Sequence, residues 1–260
     1  MPEDNYSHIS LDLMYTPFNL PGTGCDQSIF QSSPRGCSCG DTCTDKCPHH
    51  YDLRSLIFNI DDSLIIECNE DCSCHENRCP YRVVQRGPVA CLDVTDIGDK
   101  GFGVVSNKDL EPGVFVCEYA GEVIGEKEAI LRLRLQDDMK SGNYIMVLRE
   151  HAGGQCVQKT IIDPTVIGNI GRYMNHSCQP NLSMFSVRSN TMVRHLALVT
   201  NRRILKGTEL CFDYGGQQSS SIEDDTEEDE TKQESSEDKK TKCLCDSSIC
   251  REFLPFDKIY

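Results

Sequence analysis

The stretch RYMNHSC, Arg172–Cys178, places an amide, an imidazole, a hydroxyl and a thiol almost side by side. Such side chains can hydrogen-bond a ligand or bind a metal ion. A buried turn in which Asn175 and His176 satisfy backbone groups is the simpler explanation. Cys178 is one of 17 cysteines in the chain, and the other thiols help to decide between these explanations.

Most of the other cysteines fall into two dense blocks. Thiols inside cells stay reduced and seldom form disulfides, and an odd total of 17 also argues against a disulfide framework. The spacing therefore predicts zinc sites. The first block contributes Cys37, Cys39, Cys43, Cys47, Cys68, Cys72, Cys74 and Cys79, and the second contributes Cys243, Cys245 and Cys250.

The eight cysteines of the first block are one ligand short of a shared cluster of three zinc ions. Each zinc takes four ligands, and roughly nine donors serve three ions if three thiolates each bridge two metals.

The second block has the spacing Cys-x-Cys-x4-Cys, which supplies three ligands. A closed zinc site needs a fourth from elsewhere in the chain. Metal binding would provide much of the folding free energy of the first block, which has few apolar residues. Cys91, Cys117, Cys156 and Cys211 lie outside both patterns, and we expect them to be small residues of the core.

Ordinary globular sequence lies between the cysteine blocks and must position these residues. The runs Gly113–Ile124 and His195–Thr200 are β-rich and bounded by Gly, Pro and Asn. Glu126–Lys140 has the composition and apolar spacing of a helix. Gln217–Lys242 holds ten acidic residues against four lysines and one aliphatic residue, which predicts a disordered insertion.

The net charge of the chain is −15. This balance disfavours direct, non-specific nucleic-acid binding and suits a basic partner such as a lysine-rich tail, although it can also serve solubility alone. The sequence has no apolar run of membrane-spanning length and its start does not look like a signal peptide, so we expect an intracellular protein without a membrane partner.

The run CNEDCSCHENRCPYRVVQRG and the motifs after it resemble the pre-SET, SET and post-SET modules of histone-lysine methyltransferases of the Suppressor-of-variegation type. The resemblance implies a mainly β SET fold, with small sheets around a knot-like core. It divides the chain into a lead-in (1–24), a pre-SET zinc cluster (25–86), a SET catalytic domain (87–216), an acidic insertion (217–242) and a post-SET zinc module (243–260).

In the family's pre-SET pattern a ninth cysteine would stand at position 49, where this chain has His49. His49 could bind as a terminal ligand, because a neutral imidazole cannot bridge as a thiolate can. Alternatively, Cys25 folds back to fill the gap, the cluster is smaller, or His49 and His50 are surface residues of a loop.

The resemblance also implies S-adenosylmethionine as cofactor and about three zinc ions in the pre-SET module and one in the post-SET module. Cys178 would complete the post-SET site. In DKGFGVVSN the glycines would let the backbone approach the cofactor, although a lone G-x-G more often marks a tight turn. The implied cofactor-binding residues are Lys100, Gly101, Phe102, Gly103, Tyr144, Arg172, Asn175 and His176.

In the motif GTELCFDYG, Tyr214 matches the family's catalytic tyrosine. Tyr144 matches a second tyrosine of the substrate channel. Phe212 stands where a tyrosine restricts the product to fewer methyl groups, so the resemblance implies a di- or trimethylated product. The implied partner is the histone H3 tail or the nucleosome, and the implied location is the nucleus and the chromosome.

Two other functions stay open from the sequence. The enzyme could methylate a lysine of a non-histone protein, or the chain could be an inactive chromatin-binding module. Tyr214, Asn175 and His176 together favour an enzyme, because a domain without activity does not need all three. The acidic insertion could be a solvated linker or a competitor for a basic substrate.

Overall fold

The computed structural model describes residues 13–58, 64–139, 142–152, 155–216 and 241–255. Within these ranges the chain forms three small sheets, most of whose strands are short, and one long helix. This confirms the prediction of a mainly β fold built from small sheets. No helix in the described ranges is both long and apolar enough to cross a membrane.

The three sheets draw their strands from distant parts of the chain. The first contains β1 (Met14–Tyr15), β2 (Leu20–Pro21), β7 (Gly121–Ile124), β8 (Met146–Ala152) and β9 (Gln155–Gly168). The second contains β4 (Leu92–Asp96), β5 (Phe102–Ser106), β10 (Asn175–His176) and β13 (Glu209–Phe212). The third contains β3 (Ile65–Ile66), β6 (Phe115–Glu118), β11 (Leu182–Arg188) and β12 (His195–Thr200). The helices are α1 (Ser28–Gln31), α2 (Leu53–Phe58) and α3 (Glu126–Met139).

The elements predicted from periodicity are present. The helix expected over Glu126–Lys140 is α3, and the run His195–Thr200 is β12. The run Gly113–Ile124 contains β6 and β7, separated by two residues. Residues 217–240 of the predicted acidic insertion lie outside the described residues, whereas Lys242 at its end pairs with Phe253.

Helix α3 is fixed to the first sheet by the side chain of Arg132. Its guanidinium contacts Glu122 and Asp163, each at 2.8 Å, and also Glu128 one helical turn earlier at 2.8 Å. Asp163 is buried, so it needs this counter-charge. Ala129 on the same helix packs in a small apolar cluster with residues of the sheet.

The described end of the predicted lead-in is part of the first sheet. Met14 of β1 pairs in parallel with Ile167 of β9, and Leu20 of β2 pairs with Glu122 of β7. Two-residue strands are too short to show an alternating pattern, so the sequence did not predict them.

The cysteine block has its own core, in which thiols and Tyr81 replace aliphatic side chains. Glu67, which is fully buried, connects this block to the rest of the molecule. This carboxylate accepts hydrogen bonds from the backbone N–H groups of Val83 (2.8 Å) and Val84 (2.9 Å) and from the hydroxyl of Tyr51 (2.6 Å). A buried charge with so many donors is satisfied, and it fixes the block against the third sheet.

Candidate active site and metal centres

Two short strands bring the two motif-bearing segments together. Strand β10 lies parallel to β13, with Asn175 opposite Cys211 and His176 opposite Phe212. The backbone N–H of Ser177 extends the pairing to Phe212 O at 3.1 Å. The RYMNHSC and GTELCFDYG segments therefore form one continuous wall.

Tyr214 follows β13 and contacts the other segment twice. Its hydroxyl donates to Met174 O at 2.8 Å, and its backbone N–H donates to His176 Nδ1 at 3.2 Å. Burial raises the pKa of Tyr214, and the nearby thiol of Cys211 and hydroxyl of Tyr144 raise it further. The phenol therefore stays protonated near neutral pH, so it can orient a reacting group but is a poor general base.

The other two predicted catalytic residues adjoin Tyr214. The ring of Phe212 is fully buried, with its centroid 4.9 Å from the ring of Tyr214 and 5.9 Å from that of Tyr119. The Tyr119 hydroxyl donates to Tyr144 O at 2.5 Å. The Tyr144 ring in turn lies 4.5 Å beneath the guanidinium of Arg172. Phe212 and Tyr214 thus share one aromatic cluster with Tyr119, and Tyr119 connects this cluster to the backbone of Tyr144.

The two glycines of the G-x-G motif are required for different structural reasons, and the approach of a cofactor to this backbone stays a prediction. Gly101 has φ +75°, a backbone conformation that favours glycine in a tight turn. A Cβ on Gly103 would lie 2.5 Å from a side-chain carbon of Ile97 and 3.0 Å from Asn175 Nδ2, so any larger residue would disturb the wall. Between them, Phe102 O accepts a hydrogen bond from Asn175 Nδ2 at 3.1 Å.

Glu209 is a site residue that the sequence reasoning did not single out, although it lies in the quoted GTELCFDYG motif. One of its oxygens is 2.8 Å from Lys100 Nζ, and the other accepts from Asn175 Nδ2 at 2.9 Å. Burial alone would lower the pKa of Lys100, but Glu209 outweighs it and raises that pKa. Lys100 therefore stays charged, and one carboxylate fixes two predicted cofactor residues.

The imidazole of His176 is buried and both of its nitrogens contact protein groups. Nδ1 accepts from the backbone of Tyr214, and Nε2 lies 3.2 Å from Cys178 Sγ. Burial lowers the pKa of His176, so the ring is neutral at pH 7 and Asp213 Oδ1, 3.6 Å from Nδ1, does not form an ion pair with it. The side chain of His176 is therefore engaged within the protein, and a cofactor would have to contact its main chain.

Arg172, also predicted to bind the cofactor, has one N–H donor that is unpaired among the described residues. Its Nε is buried and has no hydrogen-bond partner among the described residues. A buried donor of a charged group is costly to leave unpaired, so a polar ligand beside the Tyr144 ring would fit here.

The carboxyl-terminal cysteines form the predicted four-sulfur group with Cys178. The four sulfur atoms lie within 4.8 Å of one another, and Cys178 Sγ is 3.9 Å from Cys243 Sγ. Bonds of 2.3 Å in a tetrahedral zinc site separate neighbouring sulfurs by roughly 3.8 Å. The described residues therefore fit a closed zinc site made by Cys178, Cys243, Cys245 and Cys250.

The cysteines of the first block form overlapping groups of the same kind. Cys37 and Cys43 have their sulfurs 3.7 Å apart, and Cys68 lies 3.7 Å from Cys43 and 3.9 Å from Cys37. Several thiols belong to more than one group, as expected if thiolates are shared between metals. The four groups are Cys37, Cys39, Cys43 and Cys47; Cys37, Cys47, His49 and Cys68; Cys37, Cys68, Cys72 and Cys74; and Cys43, Cys68, Cys74 and Cys79.

The environment of His49 favours it as the ninth donor. Its side chain is buried, its Nδ1 lies 3.7 Å from Cys72 Sγ, and it belongs to one group, as a terminal ligand would. Burial lowers its pKa, which keeps the imidazole neutral and able to bind metal. Cys25 instead packs beside the main apolar core, where its sulfur accepts a hydrogen bond from Gln27 at 3.4 Å.

Three of the four unassigned cysteines, Cys91, Cys117 and Cys211, are buried, as expected for small core residues. Burial raises the pKa of Cys117 and raises that of Cys211 to about 12, so both stay as unreactive thiols. The side chain of Cys156 lies outside the described residues.

Comparisons with known proteins agree with this site. The family model of the SET domain matches residues 101–215. The histone-lysine N-methyltransferase SETMAR of Bos taurus is 40% identical over 263 residues, covering 94% of this chain and 81% of the relative. The probable histone-lysine N-methyltransferase set-23 of Caenorhabditis elegans is 37% identical, covering 91% of this chain and 93% of the relative.

The fold agrees as well. The crystal structure of the methyltransferase domain of human SETMAR superposes with a TM-score of 0.78 at 31% identity, covering 98% of this chain and 96% of that one. The likeness to the SET portion of SETMAR is the one that the run IGNIGRYMNHSCQPNL predicts. This chain belongs to the SET-domain family of histone-lysine N-methyltransferases, and it is a lysine methyltransferase.

Proposed function

We propose that this chain transfers methyl groups from S-adenosylmethionine to a lysine of histone H3 and makes di- or trimethyllysine in the nucleus. The observation that carries the proposal is the aromatic cluster of Tyr214, Phe212 and Tyr119, on the wall that also carries Asn175. Tyr144 joins this cluster through the hydrogen bond of its backbone oxygen with Tyr119. The acceptor lysine would lie among these rings.

When bound, S-adenosylmethionine supplies a methyl group on a positively charged sulfur. The backbone around Gly101 and Gly103 and the main chain of His176 would hold it against the wall, with Asn175 oriented by Glu209. The unpaired Nε of Arg172 would bind a polar atom of its amino-acid portion. Lys100 is paired with Glu209, so it would support cofactor binding mainly by fixing the position of that carboxylate.

The aromatic cluster suits a neutral lysine amine, which the reaction requires. A lysine in water has a pKa of about 10.4, and burial lowers it by disfavouring the charged form. The hydroxyl of Tyr214 donates its proton to Met174 O, so its oxygen is free to accept a hydrogen bond from an N–H of the amine. This contact would aim the nitrogen lone pair along the line of displacement, so that orientation supplies much of the rate.

Phe212 supports a di- or trimethylated product. Its ring carries no hydroxyl, is fully buried and is packed between two tyrosines. A hydroxyl at this point could hold a water where an additional methyl group would sit. Without it, an already methylated amine has room to turn and react again.

The charge of the chain supports a basic substrate. The net charge is −15, which attracts a lysine-rich tail over long range. The names of the relatives, histone-lysine N-methyltransferases, point to the same substrate class and to chromatin as the location. Four zinc ions, three in the first cysteine block and one at the carboxyl-terminal site, would order the two modules around the catalytic domain.

The test is a methyl-transfer assay with labelled S-adenosylmethionine and recombinant nucleosomes, in which the zinc-loaded protein is compared with a Tyr214→Phe variant. Peptide mass spectrometry would locate the label and count methyl groups. The proposal expects di- or trimethyllysine on histone H3, lost in the variant. If a nuclear extract shows label on another protein and none on H3, that protein is the substrate and the histone H3 assignment is wrong. If the cofactor binds but no methyl group is transferred, the chain is better explained as an inactive binding module.

A further inference from the structure

Cys178 belongs both to the catalytic wall and to the carboxyl-terminal metal site, and two nitrogen atoms converge on its sulfur. His176 Nε2 lies 3.2 Å from Cys178 Sγ. The backbone N–H of Arg251, directly after the last cysteine of the site, donates to the same sulfur at 3.4 Å.

The opposite edge of the His176 ring contacts the catalytic tyrosine. Because Nδ1 accepts the backbone N–H of Tyr214 at 3.2 Å, that nitrogen carries no proton, and the N–H of the ring is therefore on Nε2. That N–H therefore points at the sulfur of Cys178. The imidazole spans the distance between the metal site and the residue that orients the substrate.

We propose that His176 is a positioning residue whose imidazole joins the metal-bound sulfur of Cys178 to the backbone of Tyr214, so that the carboxyl-terminal metal site and the catalytic tyrosine are ordered together. The catalytic part of this inference rests on the proposed function of Tyr214. The structural part, a hydrogen bond from the ring to a metal ligand, does not.

The chemistry of the site supports this role. A zinc ion with four thiolates leaves excess negative charge on sulfur, and N–H donors to the sulfurs stabilise it. Loss of such outer hydrogen bonds typically weakens metal binding 10–100-fold. Among the four sulfurs of this group, the one from Cys178 is contributed by the catalytic segment, so His176 is well placed to connect the two.

Arg251 strengthens the same connection from the tail. Its guanidinium donates to Asp213 Oδ1 at 2.6 Å. Asp213 also accepts the backbone N–H of Gly215 at 2.9 Å. The two neighbours of Tyr214 in the chain are thereby fixed to a residue that follows the last metal ligand.

Two substitutions separate the two contacts of the ring. In His176→Asn the shorter amide reaches the position of Nδ1, so it keeps an acceptor for Tyr214 and loses the contact with sulfur. In His176→Gln the longer amide reaches the position of Nε2, so it keeps a donor to sulfur and loses the contact with Tyr214. Both variants would be made in the full, zinc-loaded chain.

The first readout is the rate of zinc release to a chromogenic chelator, with Cys250→Ser used to identify the zinc that belongs to the carboxyl-terminal site. We expect His176→Asn to release that zinc about tenfold faster, and His176→Gln to release it at nearly the wild-type rate but with a lower kcat. Asn175→Ala is the matched control, since it should weaken cofactor binding without faster zinc release. An unchanged release rate in His176→Asn would overturn the proposal.

A second measurement needs no substitution. Nitrogen NMR of the imidazole in the wild-type protein reports which ring nitrogen carries the proton. The proposal requires the proton on Nε2, and a proton on Nδ1 would overturn it. Both readouts stand even if the wild-type chain transfers no methyl group, so failure of the proposed function and failure of the metal connection can be told apart.

Discussion

Asn175 Nδ2 donates a hydrogen bond to Glu209 Oε1 at 2.9 Å, across the pairing of β10 with β13. The second oxygen of the same carboxylate contacts Lys100 Nζ at 2.8 Å. Glu209 lies on the strand that leads to Tyr214. One side chain therefore links the strand of the catalytic tyrosine to two residues predicted to bind the cofactor.

Glu209→Ala should weaken cofactor use, because Asn175 and Lys100 both lose their partner. Hydrogen bonds to charged groups contribute about 1.5–3 kcal/mol, so we expect KM for S-adenosylmethionine to rise roughly tenfold or more, with a smaller change in kcat. The measurement is steady-state kinetics with varied cofactor. Glu111→Ala is the control, since this side chain is 61% exposed and lies 3.6 Å from an equally exposed Arg203. Equal effects of the two substitutions would contradict the prediction.

Phe212→Tyr should lower the final methylation state. The new hydroxyl would enter a fully buried position between Tyr119 and Tyr214, where it can hold a water and restrict the amine. We expect the trimethylated product to disappear and mono- or dimethyllysine to accumulate in mass spectra at long reaction times. Phe185→Tyr makes the same chemical change in another apolar cluster and should leave the product unchanged. A wild-type enzyme that stops at monomethyllysine would refute the role of Phe212.

His49→Ala should remove one zinc ion from the purified protein, because the first cysteine block then lacks its ninth donor. We expect about three zinc ions per chain where the wild type has about four, together with a lower melting temperature, measured by elemental analysis and thermal unfolding. His50→Ala is the matched control, since that ring packs edge-on against Tyr81 and belongs to none of the metal-binding groups among the described residues. Loss of zinc in Cys25→Ser and not in His49→Ala would reverse the assignment.

The buried pair of His195 and Glu118 should make stability fall as pH rises. Their Nδ1 and Oε1 atoms lie 2.9 Å apart. Burial lowers the pKa of His195, but Glu118 outweighs it and the pKa is raised above the ordinary value of 6.5. Burial also raises the pKa of Glu118 above its ordinary value of 4.5. The folded pair therefore keeps one proton, on His195 beside the Glu118 carboxylate, that the unfolded chain releases as the pH rises.

The stabilisation from His195 is therefore complete below about pH 6.5 and is lost as the pH rises through the folded pKa. The free energy of unfolding, from urea titrations between pH 6 and pH 9, should fall by up to about 1.4 kcal/mol per pH unit in that window. The double variant Glu118→Gln/His195→Gln should show a smaller slope. Identical slopes in the two proteins would show that the pair does not bind the proton.

The sequence by itself determined the kinds of site in this protein. Ligand spacing is local, so the two cysteine blocks could be identified as zinc sites, and the three-ligand tail required a partner elsewhere. The apolar spacing of Glu126–Lys140 was enough to predict α3. The motifs around Asn175 and Tyr214 were enough to predict the family, because their residue types are unusual together.

Only the tertiary structure decided which atoms of these residues meet. Pairing of β10 with β13 brings His176 between Tyr214 and Cys178 and turns both ring nitrogens toward protein groups. It also makes Glu209 the shared partner of two residues from other segments. Strands of two residues at the start of the chain, and the burial of His49 beside Cys72, likewise depend on contacts between distant segments. Such contacts are set by the packing of the whole chain, and no local pattern of residue types encodes them.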